Sequence, residues 1–236
     1  MSVTDLSTVQ LPAAARAWVA SADPATAIVE HRVTVARQWW VTELAAHGFG
    51  DAILSDSLTR GDVFSLAGHA LKSPEAALVL LWNALAWGSG TKNRNNRTRV
   101  TSIAADPHAA GELLQEAMRL SRTDPESAYE MLYPRNVPAI RGLGPAFFTK
   151  VLYFAGGGAP DHPCLILDER VARSLRAAGW QSLPIKNWLP SAYRRYVDLV
   201  DRWSREYDIP RPDLIERWLF DEAGRESGQI EPISRE

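Results

Sequence analysis

Cysteine is almost absent from this sequence, since Cys164 is the only one among 236 residues. A single thiol excludes an intrachain disulfide and any zinc or iron–sulfur site built from several thiolates. The five histidines show no ligand spacing, so we predict neither a metal nor another cofactor. Cys164 precedes the apolar run Leu165–Leu167, and free thiols are among the most buried side chains. We interpret it as a small core residue rather than as a nucleophile.

Long hydrophobic runs are also absent. No apolar stretch approaches the ~20 residues that a membrane helix needs, and the longest, residues 76–87, contains Asn83. The first residues are polar and lack the basic and apolar pattern of a signal peptide. We therefore expect a cytoplasmic protein that does not contact a membrane.

A strong charge of either sign is missing too, because the formal net charge is −2. With 46% hydrophobic and 23% charged residues, the composition is that of an ordinary globular domain. The charge is unevenly distributed. Residues 205–236 contain nine acidic and five basic residues, so residues 1–204 carry a net charge of +2. Residues 92–99 carry four cations and no acid. Such a local basic segment is compatible with binding phosphates over a limited footprint.

Helical periodicity dominates what is present, and strand evidence is weak. Apolar residues recur at helical spacing in nine segments: 25–46, 60–72, 74–87, 106–121, 124–133, 145–155, 168–178, 191–206 and 211–223. Many segments open with proline or an acid in the first turn, where a backbone amide would be unpaired anyway. Gly88 is one of several glycines that indicate helix ends. The sequence predicts an all-α fold.

A glycine-rich turn joins two of these helices within residues 125–155. Residues 140–145 read Ile-Arg-Gly-Leu-Gly-Pro. Glycine permits positive φ and leaves neighbouring amides uncovered. The amides of Gly142, Leu143 and Gly144, with the N-terminus of the next helix, could hold a nucleic-acid phosphate without reading its sequence. On the turn alone, a tight helix–helix connection without a ligand is the more common alternative.

The longer segment IRGLGPAFFTKVLYFAGGGAPDHPCLILDERVARSL, residues 140–175, resembles the helix-hairpin-helix DNA glycosylase superfamily. That group contains endonuclease III and the 8-oxoguanine glycosylases, and the wording here looks most like its bacterial 8-oxoguanine glycosylase-like branch. A weaker similarity covers residues 78–99, which resemble the helix and the following loop that insert into the DNA base stack in this family. The first sixty residues add nothing to the resemblance.

The resemblance implies a single glycosylase-like domain over residues 1–236, with two helical lobes and a cleft between them. Residues of about 60–155 would form the central lobe, and the N-terminal segment with 165–223 the second; 224–236 would be a frayed tail. It further implies double-stranded DNA as partner and a nucleoid-associated protein, expected to be a monomer. Some relatives carry a four-cysteine iron–sulfur cluster, which one cysteine cannot build.

Asp168 would be the catalytic carboxylate of the family, ending an apolar run and opening a helix. A fixed carboxylate stabilises the positive charge that develops on the sugar as the base departs. The alternative role is a helix N-cap that accepts the Arg170 or Val171 amide, and the family allows both roles together.

Lys150 is the second predicted catalytic residue, as an amine that attacks the sugar and forms a Schiff base. The sequence departs here from the usual family pattern, whose lysine would stand at Ala146. Lys150 lies one turn later on the same helix face, as in an archaeal 8-oxoguanine branch that it resembles. The alternative is a lysine that extends its amine to solvent at the edge of the helix.

The other predicted site residues concern the DNA and the extruded base. The loop after Trp87 would contact the backbone or fill the gap left by the base, unless it is simply solvated; its polar residues are Lys92, Arg94, Asn95, Asn96, Arg97 and Arg99. A rough alignment places four further residues in the base pocket: Phe147, Glu216, Trp218 and Phe220.

The prediction is therefore a DNA glycosylase of base excision repair, with 8-oxoguanine as the first expectation and a lyase activity in question. One alternative is a glycosylase for another modified base, such as an alkylated purine or a hypermodified cytosine in foreign DNA. A second is a helix-hairpin-helix DNA-binding module without catalysis, although phosphate binding needs neither Lys150 nor Asp168. A third is a helical interaction protein, which salt-dependent DNA affinity would argue against.

Overall fold

A computed structural model describes residues 4–226 of the chain and confirms the all-α prediction. Within this range there are twelve α-helices: α1 Ala13–Ser21, α2 Arg37–Ala46, α3 Arg60–Phe64, α4 Ala67–Ala70, α5 Pro74–Ser89, α6 Asn96–Ala104, α7 Pro107–Leu120, α8 Pro125–Leu132, α9 Pro145–Phe154, α10 Glu169–Ala177, α11 Pro190–Glu206 and α12 Pro212–Glu226. Short 3-10 turns lie at Leu6–Thr8 and Pro134–Asn136. None of the described helices is both long and apolar enough to cross a bilayer.

The predicted helix starts are confirmed at atomic detail. The side chains of Ser73, Asp106 and Asp124 each accept a hydrogen bond from the amide three residues on, and a proline follows each of them. These caps satisfy amides that the helix itself leaves unpaired. Gly88, predicted to end a helix, instead lies inside α5, which continues to Ser89 and is capped by Gly90 at φ 59°.

The prediction of one helix over residues 25–46 is wrong. The chain forms a π-helical turn at Ala25–Val29, a short strand β1 at Arg32–Thr34, and then α2. β1 pairs antiparallel with β2, Ser57–Thr59, in the register Val33 to Leu58. The β-branched residues around Val33 favour a strand. Its partner strand lies about 25 residues later in the chain, so the periodicity of residues 25–46 alone could not indicate the pairing.

Helices α1 and α6 were also absent from the sequence prediction. The basic segment was expected to be a loop through Arg99, but α6 begins at Asn96. Only residues 90–95 connect α5 to α6, with Asn95 at φ 65°. Most residues of α6 are polar, so the segment shows no clear apolar helical periodicity. The helix is held by the packing of Val100 and Ile103, both fully buried.

Helix α5 lies at the centre of the fold, and nearly all of its residues from Ala77 to Trp87 are buried. It packs against α4, α7 and α9, while α12 packs against α10, α11 and α1. The predicted tail, 224–236, begins in the last turn of α12 and otherwise lies outside the described residues. This arrangement brings α9 beside both α5 and the loop that leads into α10.

Candidate functional site

Lys150 and Asp168, eighteen residues apart in sequence, form an ion pair in the structure. Lys150 Nζ lies 3.2 Å from Asp168 Oδ2, and the two side chains are 7% and 14% exposed. Lys150 Nζ also donates to the carbonyl of Ala146 at 2.8 Å. The pair therefore lies at the margin of the core, where a small accessible fraction of each group remains.

The contact with Ala146 follows from the direction of helical side chains, which point toward the N-terminus of the helix. The Lys150 amine therefore returns one turn along α9, to the level of the Ala146 carbonyl. A lysine at residue 146 would point back in the same way, so the departure from the family pattern moves the amine by about one helical turn, roughly 5 Å.

Asp168 caps helix α10 with one carboxylate oxygen and contacts Lys150 with the other. Oδ1 accepts the amides of Arg170 at 3.0 Å and Val171 at 3.2 Å, while Oδ2 contacts Lys150. The two roles considered for this residue are therefore geometrically compatible. The cap fixes the carboxylate and leaves one oxygen directed toward the amine.

Thr149, which was not among the predicted site residues, holds the backbone just before Asp168 against α9. Its buried hydroxyl donates to the carbonyl of Pro145 at 2.8 Å and accepts the amide of Leu167 at 3.2 Å. Leu167 directly precedes Asp168, as Thr149 directly precedes Lys150. One side chain thus joins the two segments that carry the ion pair.

Gly88 provides the space in which Lys150 lies. A Cβ at this position would stand 2.8 Å from Lys150 Cδ and 3.1 Å from Cε. Contacts under 3.0 Å do not occur for real Cβ atoms, so any larger residue would displace the lysine stem. The glycine's role is close approach of α5 to α9 rather than helix termination.

The predicted phosphate-binding turn precedes α9. Gly142 adopts φ 84°, a conformation that glycine tolerates without strain, and the buried side chain of Leu143 anchors the turn. Gly144 is the N-cap residue of α9 and, at φ −80°, is not strained. Beside the turn lies a cavity of about 220 Å³, whose lining includes Phe147 and Lys186.

The basic segment divides into exposed and buried residues. Lys92, Arg94, Asn95 and Arg97 are exposed, whereas Asn96 and Arg99 are buried. Arg97 pairs with Glu43 at 3.1 Å and remains 73% exposed.

Arg99 is buried against the glycine turn and stabilises it by a hydrogen bond. Its Nε donates to the carbonyl of Gly142 at 2.8 Å, and its guanidinium also contacts Asn96. The guanidinium carbon stacks 3.7 Å from the centre of the Phe147 ring, and burial lowers the pKa of Arg99 to about 10. Arg99 and Asn96 therefore hold the turn and Phe147 in place rather than facing solvent.

The residues predicted for the base pocket do not all meet. Glu216 is fully buried in α12, and Phe220, one turn later, lies 4.5 Å below the guanidinium carbon of Arg170. Trp218 is buried two residues beyond Glu216, which places it about 200° around the helix, on another face. Phe147, on α9, lies near Lys150, with Nζ 5.7 Å from its ring centre.

Glu216 has a buried partner that sequence reasoning missed. Arg60 Nη1 lies 2.9 Å from Glu216 Oε2 and donates to Tyr153 Oη at 2.9 Å. Tyr153 in turn donates to Asp213, which also pairs with Arg211. Burial raises the pKa of Glu216, while the Arg60 guanidinium opposes that rise. No local pattern marks Arg60, because its partner is 156 residues away.

Two further features of residues 4–226 delimit the site. No group of three or more His, Cys, Asp or Glu side chains there is placed to hold a metal ion. A cavity of about 550 Å³ lies beside Leu78 and Trp82. Leu78 is ten residues before Gly88 on α5, about 15 Å along the helix, so this cavity is separate from the Lys150 region.

The comparison with protein families gives one match. The model of the family described as "Putative 8-oxoguanine DNA glycosylase OGG-like protein" matches residues 26–220, which is more than half of the chain. This match confirms the resemblance inferred from residues 140–175. Neither a curated protein nor a solved structure matches the chain.

Proposed function

Since this chain belongs to the OGG-like family of 8-oxoguanine DNA glycosylases, we propose that it excises 8-oxoguanine from double-stranded DNA. The observation that carries the proposal is the contact of 3.2 Å between Lys150 Nζ and Asp168 Oδ2. A nucleophile and a charge-stabilising group lie together at the margin of the core, on two segments joined by Thr149.

In the proposed reaction the damaged nucleotide leaves the duplex stack, since its glycosidic bond cannot be reached within the helix. A proton first passes from Lys150 Nζ to solvent, and the amine then attacks C1′ of the sugar. The new bond joins Nζ to C1′, the bond from C1′ to the base nitrogen breaks, its electron pair leaves with the base, and the base takes up the proton that Nζ releases as the new bond forms. Asp168 stabilises the positive charge that develops on the sugar.

The covalent product would be a Schiff base after the sugar ring opens, and loss of the 3′ phosphate by elimination would then cut the strand. This lyase step is the finer part of the proposal. It follows from using an amine rather than water as the nucleophile.

DNA would be held by two features, the glycine turn before α9 and the basic segment whose Arg99 contacts that turn. The amides of the turn at Gly142–Gly144 and the N-terminus of α9 suit a phosphate. The exposed side chains of Lys92, Arg94, Asn95 and Arg97 would supply backbone contacts or enter the gap left by the base. Asn96 and Arg99 would act indirectly, because both are buried beneath the turn.

The test is excision and covalent trapping. Wild-type protein, Lys150→Ala and the control Lys72→Ala would be incubated with duplexes that carry 8-oxoguanine, an alkylated purine or a hypermodified cytosine, with borohydride present. Lys72 follows α4, at the opposite end of α5 from Gly88. We expect a trapped adduct on the 8-oxoguanine duplex for wild type and Lys72→Ala, and none for Lys150→Ala.

Excision of one of the other bases, and not of 8-oxoguanine, would show that the protein is a glycosylase for that base instead. If every duplex survives hot alkali while salt-dependent binding persists, catalysis is excluded and the chain is a DNA-binding module.

A further inference from the structure

The cavity of about 550 Å³ beside Leu78 and Trp82 has no part in the proposed reaction. It is bordered by residues 47–52, by α5 between Glu75 and Trp82, and by the start of α7 at Pro107, and we call it the α5–α7 cavity. Close-packed interiors contain few voids larger than a water molecule, whereas sites for small ligands measure about 300–1,000 Å³. The α5–α7 cavity therefore has the size of a ligand site rather than of a packing defect.

The inner surface of the α5–α7 cavity is apolar and aromatic. Leu78 and Trp82 are 6% and 1% exposed, and the ring of Phe49 packs 5.2 Å from that of Trp82. Phe49 and Val79 are only half-buried, so both keep apolar area that a ligand would cover. An aromatic ring system placed here would gain both hydrophobic burial and favourable ring contacts.

The charged groups of the lining are acidic. Among the described residues that border the cavity there are two carboxylates, Asp51 and Glu75, and no lysine or arginine. Hydrogen bonds from its own amide and from Ser73 lower the pKa of Glu75, so this carboxylate is charged at neutral pH. Asp51 pairs with Arg37 at 2.6 Å but remains 49% exposed. The lining therefore favours a cation and repels nucleic-acid phosphates.

A second buried contact shows that the cavity is formed in advance. Asn83, which interrupts the longest apolar run of the sequence, is fully buried. Its Nδ2 donates to the carbonyl of Ala52 at 2.7 Å, and its Oδ1 accepts the amide of Leu54 at 3.1 Å. At the other end of this loop His47 Nδ1 donates to the carbonyl of Glu43 at 2.9 Å. Since both ends of the loop are tied to helices, binding would require little further ordering of the chain.

We propose that the α5–α7 cavity is a second ligand site, which takes a small molecule composed of an aromatic ring system and a positively charged amine. The ring packs on Trp82 and Phe49, and the amine is directed toward the carboxylates of Asp51 and Glu75. Leu78 lies about 15 Å along α5 from Gly88, which contacts Lys150. The site is therefore separate from the proposed reaction and does not depend on it.

The test compares three ligands that share an indole ring. Tryptamine is a cation, tryptophol is neutral and indole-3-acetate is an anion. Each would be titrated into the isotope-labelled full chain and followed by NMR, which gives both the affinity and the residues that respond.

For wild type we expect tryptamine to bind with a Kd of about 1 mM or tighter. The shifted amides should lie in residues 47–52 and 75–82. Tryptophol should bind about three- to fivefold more weakly, since an exposed charge pair contributes little, and indole-3-acetate at least about tenfold more weakly than tryptamine.

Two variants separate charge from shape. Asp51→Asn/Glu75→Gln should bind tryptamine and tryptophol with equal affinity, because the ring surface is unchanged. The control Asp201→Asn/Glu206→Gln removes the same charge from exposed positions on α11 and should keep the preference of wild type. Val79→Trp fills the cavity and should weaken tryptamine binding by at least about tenfold.

Equal affinity of wild type for the three ligands, or the absence of saturable shifts in residues 47–52 and 75–82, would overturn the proposal. So would an equal loss of preference in the two double variants, since the net charge of the protein would then account for it. Should Val79→Trp not fold, the double variants decide the question, because their substitutions lie at exposed positions. The glycosylase proposal is tested by excision and stands or falls independently.

Discussion

Two ion pairs lie beside α9, and they differ in depth and in how completely their atoms are bonded. In the Lys150–Asp168 pair the amine has two acceptors and both carboxylate oxygens have partners. In the Arg60–Glu216 pair both side chains are 1% exposed, yet Arg60 Nε and Glu216 Oε1 have no partner among the described residues.

Under the proposed function the shallower pair, whose geometry is fixed by these bonds, would act on the sugar. The deeper pair holds an arginine and a glutamate together in the core, so its loss should be felt first in the free energy of unfolding. If the two pairs differ in this way, substitutions in the deeper pair should lower the free energy of unfolding more than substitutions beside the shallower pair.

Removal of one partner of the deeper pair should cost most. We expect Arg60→Met to lower the free energy of unfolding by about 3–5 kcal/mol, because it leaves Glu216 buried without its partner. The control Arg205→Met breaks an exposed pair with Asp201 and should cost under about 1 kcal/mol. Urea denaturation of both variants provides the measurement.

The double variant Arg60→Met/Glu216→Met sharpens this comparison. Replacing both charges by apolar side chains should recover most of the lost stability. Equal losses for Arg60→Met and Arg205→Met would show that the deeper pair contributes no more than a surface contact.

Asp168→Asn should affect chemistry more than stability. Asparagine is as good an N-cap as aspartate, but Lys150 loses its counter-charge and keeps only the Ala146 carbonyl, so the free energy of unfolding should fall by about 1–3 kcal/mol. Loss of the negative charge should slow excision by about 10²–10³-fold, or about 3–4 kcal/mol. Single-turnover excision and urea denaturation would be compared with Asp124→Asn, a matched change at the N-cap of α8. Unchanged excision in Asp168→Asn would remove its catalytic role.

His31 should make stability depend on pH. Its pKa is lowered from 6.5 to about 2 in the folded protein, so only the unfolded chain takes up a proton at mildly acidic pH. The stability it contributes is present above about pH 6.5 and is lost as the pH falls, by about 2 kcal/mol between about pH 7.5 and about pH 5.

His31→Gln should remove this share of the pH dependence, measured by denaturation at several pH values. His108→Gln, at a position 70% exposed, serves as the control and should leave the dependence intact. Burial lowers the pKa of His162 as well, so some loss on acidification should persist in His31→Gln. Identical curves for wild type and His31→Gln would contradict the burial of a neutral imidazole beside Trp87.

Gly88→Ala should give the smallest effect and reach the shallower pair alone. The added Cβ would meet the flexible Lys150 stem at 2.8 Å, which displaces the amine without requiring the backbone to move. We expect about a tenfold loss of excision and trapping, about 1.4 kcal/mol, with unchanged DNA affinity. Gly68→Ala, where a Cβ would meet nothing within 4 Å, is the control, and equal activity of the two variants would refute the role of Gly88.

Local sequence was sufficient for most of the helices and for part of the site. Proline after a capping residue marks the starts of α5, α7 and α8, and the segment 140–175 predicts the turn, Lys150 and Asp168 as one unit. These features depend on neighbours within a few turns. The elements that the sequence did not predict depend instead on tertiary contacts. Strand β1 forms by pairing with a distant strand, and α6 is held by two buried side chains in an otherwise polar sequence.

The all-α fold, the family and the residues of the shallower pair can be read from local sequence. The positions of Asn96 and Arg99 beneath the turn, of Gly88 beside Lys150 and of Arg60 beside Glu216 depend on the packing of distant helices. A cap or a turn is satisfied by backbone groups a few residues away. A buried charge is satisfied by whichever partner the packing of distant helices brings to it, and no local pattern records that choice.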